Sequence, residues 1–167
     1  MWMVKLYICF ANFITMGLTF KLASESDCDY LTDTAKKAKQ HWGYSDELIE
    51  MWHDDLAIIP AKFVDCKIVK AYSEDEFIGF YVLKNKGEYS ELDGLWIAPE
   101  FHGKGYGRDV MHHVQCEASK SGYKYIELYS DPNVNVFYEK TGGIFKGTKE
   151  SAIKGRYLNI YHFNVMF

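Results

Sequence analysis

A glycine-rich segment between an apolar run and an amphipathic run most constrains the fold of this 167-residue chain. The segment reads FHGKGYGR, residues 101–108, and it follows the apolar residues 92–99. Its three glycines, at alternate positions, remove side chains where a strand turns into a helix, so backbone amides are left free. The unpaired amides and partial positive charge at the start of a helix stabilise an anion there. The segment therefore predicts a strand-loop-helix unit that binds a negatively charged group, with a pyrophosphate as the first candidate.

Two other kinds of phosphate-binding loop do not fit the same residues. Arg108 stands where the dinucleotide-binding pattern requires its third glycine, and no Gly-Lys-Ser/Thr sequence occurs. Lys104 and Arg108 add full positive charges to the loop. From glycine spacing alone, a tight strand-to-helix turn without any ligand is an equal alternative.

The composition favours one domain in a reducing compartment. A chain of this length buries enough surface to fold without disulfides or a structural metal. Its four cysteines show neither a Cys-x-x-Cys pair nor Cys/His ligand spacing, so we expect free thiols and no metal. A net charge of −4 with scattered basic residues argues against nucleic-acid and membrane partners. We accordingly expect a cytoplasmic protein, and the sequence leaves open whether it is a monomer or a homodimer.

Residues 1–15 form an apolar extension whose status the sequence leaves open. The apolar stretch at 6–20 is too short to span a bilayer and contains Asn12, Thr15 and Thr19. A signal peptide fits the length better, but the leading region carries a single lysine and no small-x-small cleavage site follows. We favour Met16 as the functional start, so that a single domain occupies residues 16–167.

The rest of the pattern predicts an α+β fold of mixed α/β content. Strand-like runs occur at about 17–24, 66–72, 77–84, 89–98, 123–129, 144–148 and 156–165. Helical patterns cover about 27–40 and 45–56, the segment from the glycine loop to Gly122, and a short stretch from Pro132. The second to fourth strands read as an antiparallel meander, and the glycine loop begins a strand-helix-strand crossover. We expect a mostly antiparallel sheet of six to seven strands with about four flanking helices.

Two segments together carry a resemblance to a known family. ELDGLWIAPEFHGKGYGR, from Glu91, and DPNVNVFYEKTGG, from Asp131, resemble in order and spacing the cofactor-binding and catalytic halves of the GNAT superfamily of acyl-coenzyme A-dependent N-acetyltransferases. A weaker match at 41–52 extends the resemblance from about Gly17 to the C-terminus. The resemblance implies a GNAT-like fold, in which a parallel pair of strands splays apart at the cofactor site. It also implies acetyl-CoA as cosubstrate and no metal.

The resemblance assigns cofactor contacts by position. The pantetheine arm would pair with the backbone of the strand before the loop, and the loop amides would hold the pyrophosphate. The implied cofactor-binding residues are Leu95, Trp96, Ile97, His102, Gly103, Lys104, Gly105, Tyr106, Gly107, Arg108, Asn133 and Tyr138. His102 stands where the family has Gln or Arg, and an imidazole of ordinary pKa is mostly neutral near pH 7, which would weaken anion binding. Trp42 and Tyr44, between the first two helices, are implied to border the acceptor pocket.

The transfer chemistry needs a base more than it needs an acid. An alkylammonium group with a pKa of about 10.4 is mostly charged at pH 7, and reaching the free amine costs about 4–5 kcal/mol. Glu91 is the first candidate base and Asp93 the alternative, because simple alternation puts both on one face of the strand with Leu95. A bulge at Gly94 would shift that alternation. Tyr138 would protonate the leaving thiolate, a step worth about 2 kcal/mol.

Two functions stay open at this point. The first is an acetyltransferase that acts on the primary amine of a small molecule or a peptide N-terminus. Direct attack in a ternary complex is then expected, because no Ser/His/Asp or Cys/His constellation indicates an acyl-enzyme. The second is a non-catalytic acyl-CoA-binding domain that serves as a sensor or an interaction module. No motif identifies the acceptor or the preferred acyl group.

Overall fold

The computed structural model describes residues 17–165 and shows one seven-stranded sheet between two helical layers. The N-terminal extension of residues 1–15 lies outside the described residues. The strands are β1 (Leu18–Leu22), β2 (Cys66–Ser73), β3 (Glu76–Asn85), β4 (Ser90–Ile97), β5 (Tyr125–Ser130), β6 (Ile144–Glu150) and β7 (Tyr157–Asn164). The helices are α1 (Cys28–Gln40), α2 (Asp46–Met51), α3 (His53–Leu56), α4 (Tyr106–Lys120) and α5 (Asn135–Lys140). Within residues 17–165, no helix has both the length and the apolar character needed to cross a bilayer.

The strands lie side by side in the order β1-β2-β3-β4-β5-β7-β6. Every neighbouring pair is antiparallel except β4 and β5, which are parallel. These two strands are in register at only two positions, Ser90 with Ile126 and Glu91 with Glu127, although both continue beyond them. They therefore separate after Glu91 and leave a gap, which we call the β4/β5 cleft. The α+β fold with a splayed parallel pair, implied by the resemblance, is confirmed.

Each face of the sheet carries its own hydrophobic core. On the face covered by α4 and α5, here the α4 face, Val110 and Val114 of α4 are fully buried one helical turn apart. On the opposite face, here the α1 face, Leu31 and Ala35 of α1 pack in the same way together with residues of α2 and α3. The helical spacing of apolar residues therefore determines which side of each helix meets the sheet.

The second predicted helix, residues 45–56, is in fact two short helices. Ser45 caps α2, because its hydroxyl accepts a hydrogen bond from the amide of Leu48. Trp52 leaves helical geometry, with φ −93° and ψ 13°, so the chain bends before α3. Apolar spacing continues through this bend, which is why periodicity alone predicted one helix. The bend buries Trp52 in the α1-face core at the wall of the cleft.

β4 contains a bulge near its middle. Its pairing with β3 shifts by one residue, so that Leu83 lies opposite Leu92 while Val82 lies opposite Gly94. Asp93 is the extra residue and has no partner in the ladder. A bulge of this kind bends the strand and increases its twist, which turns β4 away from β5. The bulge considered at Gly94 from the sequence is therefore present, one residue earlier.

The bulge changes which side chains share a face of β4. Leu92 and Leu95 both pack into the α4-face core, although they are three residues apart. Glu91, next to Leu92 in the strand, faces the α1 side, where Trp96 also packs. Simple alternation, which grouped Glu91 with Leu95, is therefore wrong across the bulge. The candidate base consequently lies on the same side of the sheet as α1.

Candidate active site

A cavity of about 1390 Å³ occupies the β4/β5 cleft. It extends from the start of α4 along β4 to α1 and the start of β7. Single small-molecule sites are typically about 300–1,000 Å³, so this cavity has room for a cofactor and a second ligand together. The site residues predicted from the sequence that line it are Trp42, Glu91, Asp93, Leu95, Trp96, Ile97, His102, Gly103, Gly105, Gly107, Arg108, Asn133 and Tyr138. Three others, Tyr44, Lys104 and Tyr106, do not.

The glycine loop leaves the first turn of α4 open to an anion. Gly103 and Gly105 have φ values of 73° and 90°, a conformation that favours glycine. Gly105 is the N-cap of α4. Within residues 17–165, no side chain hydrogen-bonds to the backbone amides that follow it. A Cβ at Gly107 would lie 3.2 Å from the ring of Phe137, so this glycine lets α4 approach α5 closely. The amides of residues 106–108 are thus available at one end of the cavity.

Of Lys104, Tyr106 and Arg108 in the loop, Arg108 is the one that lines the cavity. Arg108 lines it with a side chain that is 61% exposed. The Nζ of Lys104 instead lies 5.2 Å from the centre of the Phe101 ring. Tyr106 donates its hydroxyl to Ser73 and packs against the α4-face core. Of the two positive side chains expected to hold a pyrophosphate, Arg108 is the one at the cavity. Tyr106 can contribute only its backbone amide to a pyrophosphate site.

His102 turns back towards the end of β4. Its Nε2 lies 2.7 Å from the carbonyl oxygen of Ile97, and because a carbonyl only accepts, Nε2 carries the hydrogen. The ring also stacks on Trp42 at 5.9 Å and meets His41 edge-on at 4.6 Å. His102 therefore fastens the glycine loop to β4, with one ring nitrogen occupied by the backbone. Trp42, implied to border the acceptor pocket, packs on the loop implied to bind the cofactor.

Glu91 and Asp93 occupy different surroundings. Glu91 stands at the last paired position of β4 with β5, is 17% exposed and lies 3.4 Å from Lys86. Asp93 is the bulged residue, is 30% exposed and lies 3.1 Å from Lys62. Glu91 is thus the more enclosed carboxylate, at the point where the two strands begin to separate.

A hydrogen-bonded chain on β5 and β7 lies beside Glu91. Glu127, the partner of Glu91 across the parallel pair, accepts hydrogen bonds from Tyr129 at 2.9 Å and from His162 at 2.8 Å. Burial, followed by the hydrogen bond to Glu127, raises the pKa of Tyr129 to about 12. Tyr129 lines the cavity. Sequence reasoning missed this chain because the pairing of β5 with β7 is not visible in either segment alone.

Tyr138 lies on α5, across the sheet from Glu91. It is buried in the α4-face core and its side chain lines the cavity. Burial, reinforced by the negative charge of Asp131, raises the pKa of Tyr138 above the ordinary tyrosine value, so the phenol is protonated at neutral pH. Glu91 on the α1 face and Tyr138 on the α4 face therefore flank the cleft from opposite sides.

A charged cluster surrounds Asp131, directly after β5; we call Lys39, Tyr44, Asp131, Asn133 and Arg156 the Asp131 cluster. Lys39 and Arg156 both form ion pairs with the carboxylate, the latter at 2.9 Å. Tyr44 donates its hydroxyl to the carboxylate at 3.0 Å, and the amide of Asn133 donates at 3.1 Å. Burial alone would raise the pKa of Asp131, but hydrogen bonds from Lys39 and from the Asn133 backbone outweigh it and hold this pKa below its usual value.

The Asp131 cluster joins residues that the sequence singled out with residues that it did not. Tyr44 and Asn133 were implied as acceptor and cofactor contacts, and their side chains lie 3.0 Å apart. Lys39, Asp131 and Arg156 were not identified, because nothing in the local sequence distinguishes them from other charged residues. No group of three His, Cys, Asp or Glu side chains within residues 17–165 is arranged to hold a metal ion.

Residues 65–142, which run from the start of β2 past α5 and include the bulge and the glycine loop, match the family model of the acetyltransferase (GNAT) domain. Residues 65–142 thus match a GNAT acetyltransferase domain. The resemblance drawn from the two sequence segments is thereby confirmed. A search of curated proteins found no match to the sequence.

Solved acetyltransferase structures share the fold of this chain at low sequence identity. The PaiA N-acetyltransferase of Thermoplasma acidophilum, in complex with coenzyme A, is 23% identical with a TM-score of 0.75, over 88% of this chain and 98% of its own. A Bacillus subtilis acetyltransferase in complex with CoA is 19% identical with a TM-score of 0.64, over 89% and 99%. A GNAT family acetyltransferase from Elizabethkingia anophelis with acetyl-CoA bound is 18% identical with a TM-score of 0.63, over 89% and 98%. These similarities establish a common fold.

Proposed function

We propose that the chain transfers an acetyl group from acetyl-CoA to the primary amine of a small molecule or of a peptide N-terminus. The observation that carries this proposal is one cavity, in the β4/β5 cleft, that brings together three features. They are the uncapped start of α4, the carboxylate of Glu91 and the protonated phenol of Tyr138. The bound CoA and acetyl-CoA in structures of the same fold support the choice of cosubstrate.

Acetyl-CoA would bind along the cofactor side of the cavity. The amides of residues 106–108 and the side chain of Arg108 would hold the pyrophosphate. Beyond Glu91, the edge of β4 that faces β5 has no ladder partner within residues 17–165, so the backbone of residues 95–97 can pair with the amides of the pantetheine arm. Asn133 supports the same arm, since its side-chain oxygen has no hydrogen-bond partner among the described residues.

The reaction would then proceed by direct attack. Glu91, acting directly or through one water, takes a proton from the acceptor ammonium, and the free amine attacks the thioester carbonyl carbon. The carbon–sulfur bond breaks as the amide forms, and Tyr138 gives its proton to the departing thiolate. The two residues reach the cleft from opposite faces of the sheet. Glu91 can therefore act on the attacking amine while Tyr138 acts on the leaving thiolate. Asp93 is the weaker candidate base, because it is the bulged residue and is more exposed than Glu91, and its contact with Lys62, at 3.1 Å, is shorter than that of Glu91 with Lys86, at 3.4 Å.

Binding and turnover should be measured one after the other. A thermal-shift experiment with acetyl-CoA tests cofactor binding, and thiol release across a panel of primary amines tests transfer. We expect acetyl-CoA to raise the melting temperature and at least one amine to release free CoA. Stabilisation by acetyl-CoA without thiol release from any amine would favour the non-catalytic acyl-CoA-binding alternative.

A further inference from the structure

Two largely buried cations share one carboxylate in the Asp131 cluster. The side chains of Lys39 and Arg156 are 13% and 18% exposed, and that of Asp131 is 13% exposed. Among residues 17–165, no carboxylate except Asp131 lies within 4.0 Å of either cation. Asp54 and Asp55 line the same cavity farther away. The cluster itself therefore carries one positive charge in excess.

Both cations keep unused hydrogen-bond donors at the cavity. Arg156 donates through Nη2 alone, to Asp131 and to Tyr44, and its Nε and Nη1 have no acceptor among the described residues. Among the same residues, Lys39 donates to Asp131 alone, and its ammonium otherwise packs 4.8 Å from the centre of the Trp52 ring. Lys39, Arg156 and Trp52 all line the cavity. An anion that enters it would thus meet free donors from both cations.

Stability does not account for the second cation. One cation is enough to neutralise Asp131. Burying a second cation costs desolvation energy, and its attraction to a carboxylate that is already paired offsets little of that cost. Burial lowers the pKa of Lys39 in spite of its ion pair with Asp131, and repulsion from Arg156 lowers it further. The rings of Tyr44 and Trp52 pack against both cations and keep them at the cavity. A second anion would relieve the excess charge.

We propose that Lys39 and Arg156 bind an anionic group, a carboxylate or a phosphate, carried by the acceptor amine. The inference rests on the proposed function and narrows it: the acceptor is an amine with a negative charge elsewhere in the molecule. Asp131 and Tyr44 hold the two cations in position for that group. A polycationic acceptor would be repelled by the same charges and should be a poor substrate.

Matched amines with and without the anionic group test this proposal. Thiol release should be compared for β-alanine and β-alaninamide, for γ-aminobutyrate and its amide, and for ethanolamine phosphate and ethanolamine, with spermidine as the polycationic case. For at least one pair, we expect kcat/KM to be about 10–100-fold higher with the anionic member. This is the gain in transition-state binding that one charge-assisted hydrogen bond provides. Whether the carboxylate pairs or the phosphate pair show the larger ratio identifies the anion.

Three variants test whether the Asp131 cluster causes the preference for anionic amines. Arg156→Gln should bring the ratio of kcat/KM within a pair close to one, and Arg156→Lys, which keeps the charge, should retain part of the ratio. Lys37→Gln removes one positive charge from the exposed side of α1, outside the cavity, and should leave the ratio as in the wild type. A ratio that is unchanged in Arg156→Gln would overturn the proposal.

The experiment separates this proposal from the proposed function. If neutral amines or spermidine are acetylated as well as the anionic amines, the anion site is refuted while acetyl transfer stands. If no amine releases thiol, acetyl transfer fails, and product binding decides the anion site by itself. Calorimetry with N-acetyl-β-alanine and N-acetyl-β-alaninamide, in the presence of CoA, should then show tighter binding of the acid. Equal binding, or no binding of either, would overturn the proposal.

Discussion

Glu91 and Tyr138 reach the same cleft from opposite faces of the sheet, and this sets the chemistry that each can do. Glu91 projects to the α1 face, towards the helices that border the proposed acceptor side. Tyr138 belongs to the α4-face core and is held protonated by burial. A base on one side and an acid on the other suit an amine and a thiolate that lie on either side of one carbonyl carbon.

Replacing Glu91 should slow transfer more than replacing Asp93. Without a base, the acceptor ammonium must lose its proton to water, so Glu91→Gln should lower kcat by about 100-fold or more at neutral pH. The deficit should shrink as pH rises towards the pKa of the amine. Asp93→Asn is the matched control, and we expect it to cost less than about 10-fold. Thiol release across a pH series measures both, and a larger loss in Asp93→Asn would reverse the assignment.

Tyr138→Phe should have a milder effect than Glu91→Gln. A thiolate needs less help to leave than an ammonium needs to lose its proton, and about 2 kcal/mol corresponds to a loss of at most about 30-fold in kcat. The affinity for acetyl-CoA, measured by calorimetry, should stay near the wild-type value. A loss larger than that of Glu91→Gln would contradict proton donation as the role of this tyrosine.

Among the elements, the glycine loop and the β4 bulge together create the proposed cofactor side of the cleft. The bulge at Asp93 turns β4 away from β5, and the loop then starts α4 without a side-chain cap. Backbone groups of both elements are left without partners from the described part of the chain, next to one cavity. The glycine spacing predicted this loop correctly. It could not predict where the bulge falls, because a one-residue shift depends on the pairing with β3.

Gly103→Ala should weaken acetyl-CoA binding beyond its effect on stability. Gly103 has a φ of 73° and lines the cavity, so an alanine there is strained and sits beside the expected pyrophosphate. Gly87→Ala is a matched control, because its φ is 87° and a Cβ at either glycine meets nothing within 4 Å. Both variants should lose about 1–2 kcal/mol of unfolding free energy. Calorimetry should show weaker acetyl-CoA binding for Gly103→Ala alone, and equal affinities would argue against an anion site at this loop.

At the scale of the whole molecule, the succession of strands and helices could be predicted from the sequence, whereas long-range charge pairs could not. Period-two runs and the glycine loop predicted six to seven strands with one crossover, and the sheet has seven strands with one parallel pair. Lys39, Asp131 and Arg156 lie in three separate segments, and only the folded sheet brings them together. Sequence patterns report local geometry, so a cluster built from single residues of distant elements leaves no local signal.

His113 should make the stability of the whole domain depend on pH. It joins α4 to two strands, stacking on Phe20 at 3.6 Å and hydrogen-bonding to Tyr81 at 3.1 Å. Burial lowers its pKa from 6.5 to about 4, in spite of the attraction of Glu117. The unfolded chain therefore takes up this proton at a higher pH than the folded chain. This contribution to the free energy of unfolding is up to about 3 kcal/mol. It is fully present above about pH 6.5 and is lost as pH falls towards about 4.

Urea unfolding of the wild type and of His113→Gln, between about pH 7 and about pH 4.5, measures this contribution. The wild type should lose about 2–3 kcal/mol more than the variant over that range. Glu117, whose pKa is lowered to about 2, chiefly by its hydrogen bond to Lys67, contributes mainly below that range and should affect both proteins alike. Parallel pH profiles for the two proteins would show that His113 is not the titrating group.

Mass spectrometry of acetyl transfer tests the central claim most directly. The protein is incubated with acetyl-CoA labelled in the acetyl group, first alone and then with the amine panel, and both the intact protein and the small molecules are weighed. Direct attack predicts that the protein gains no acetyl group before an amine is added, and that the labelled amide then appears in step with free CoA. A labelled acetyl-protein formed without amine, or the absence of any labelled amide while acetyl-CoA is bound, would contradict the account.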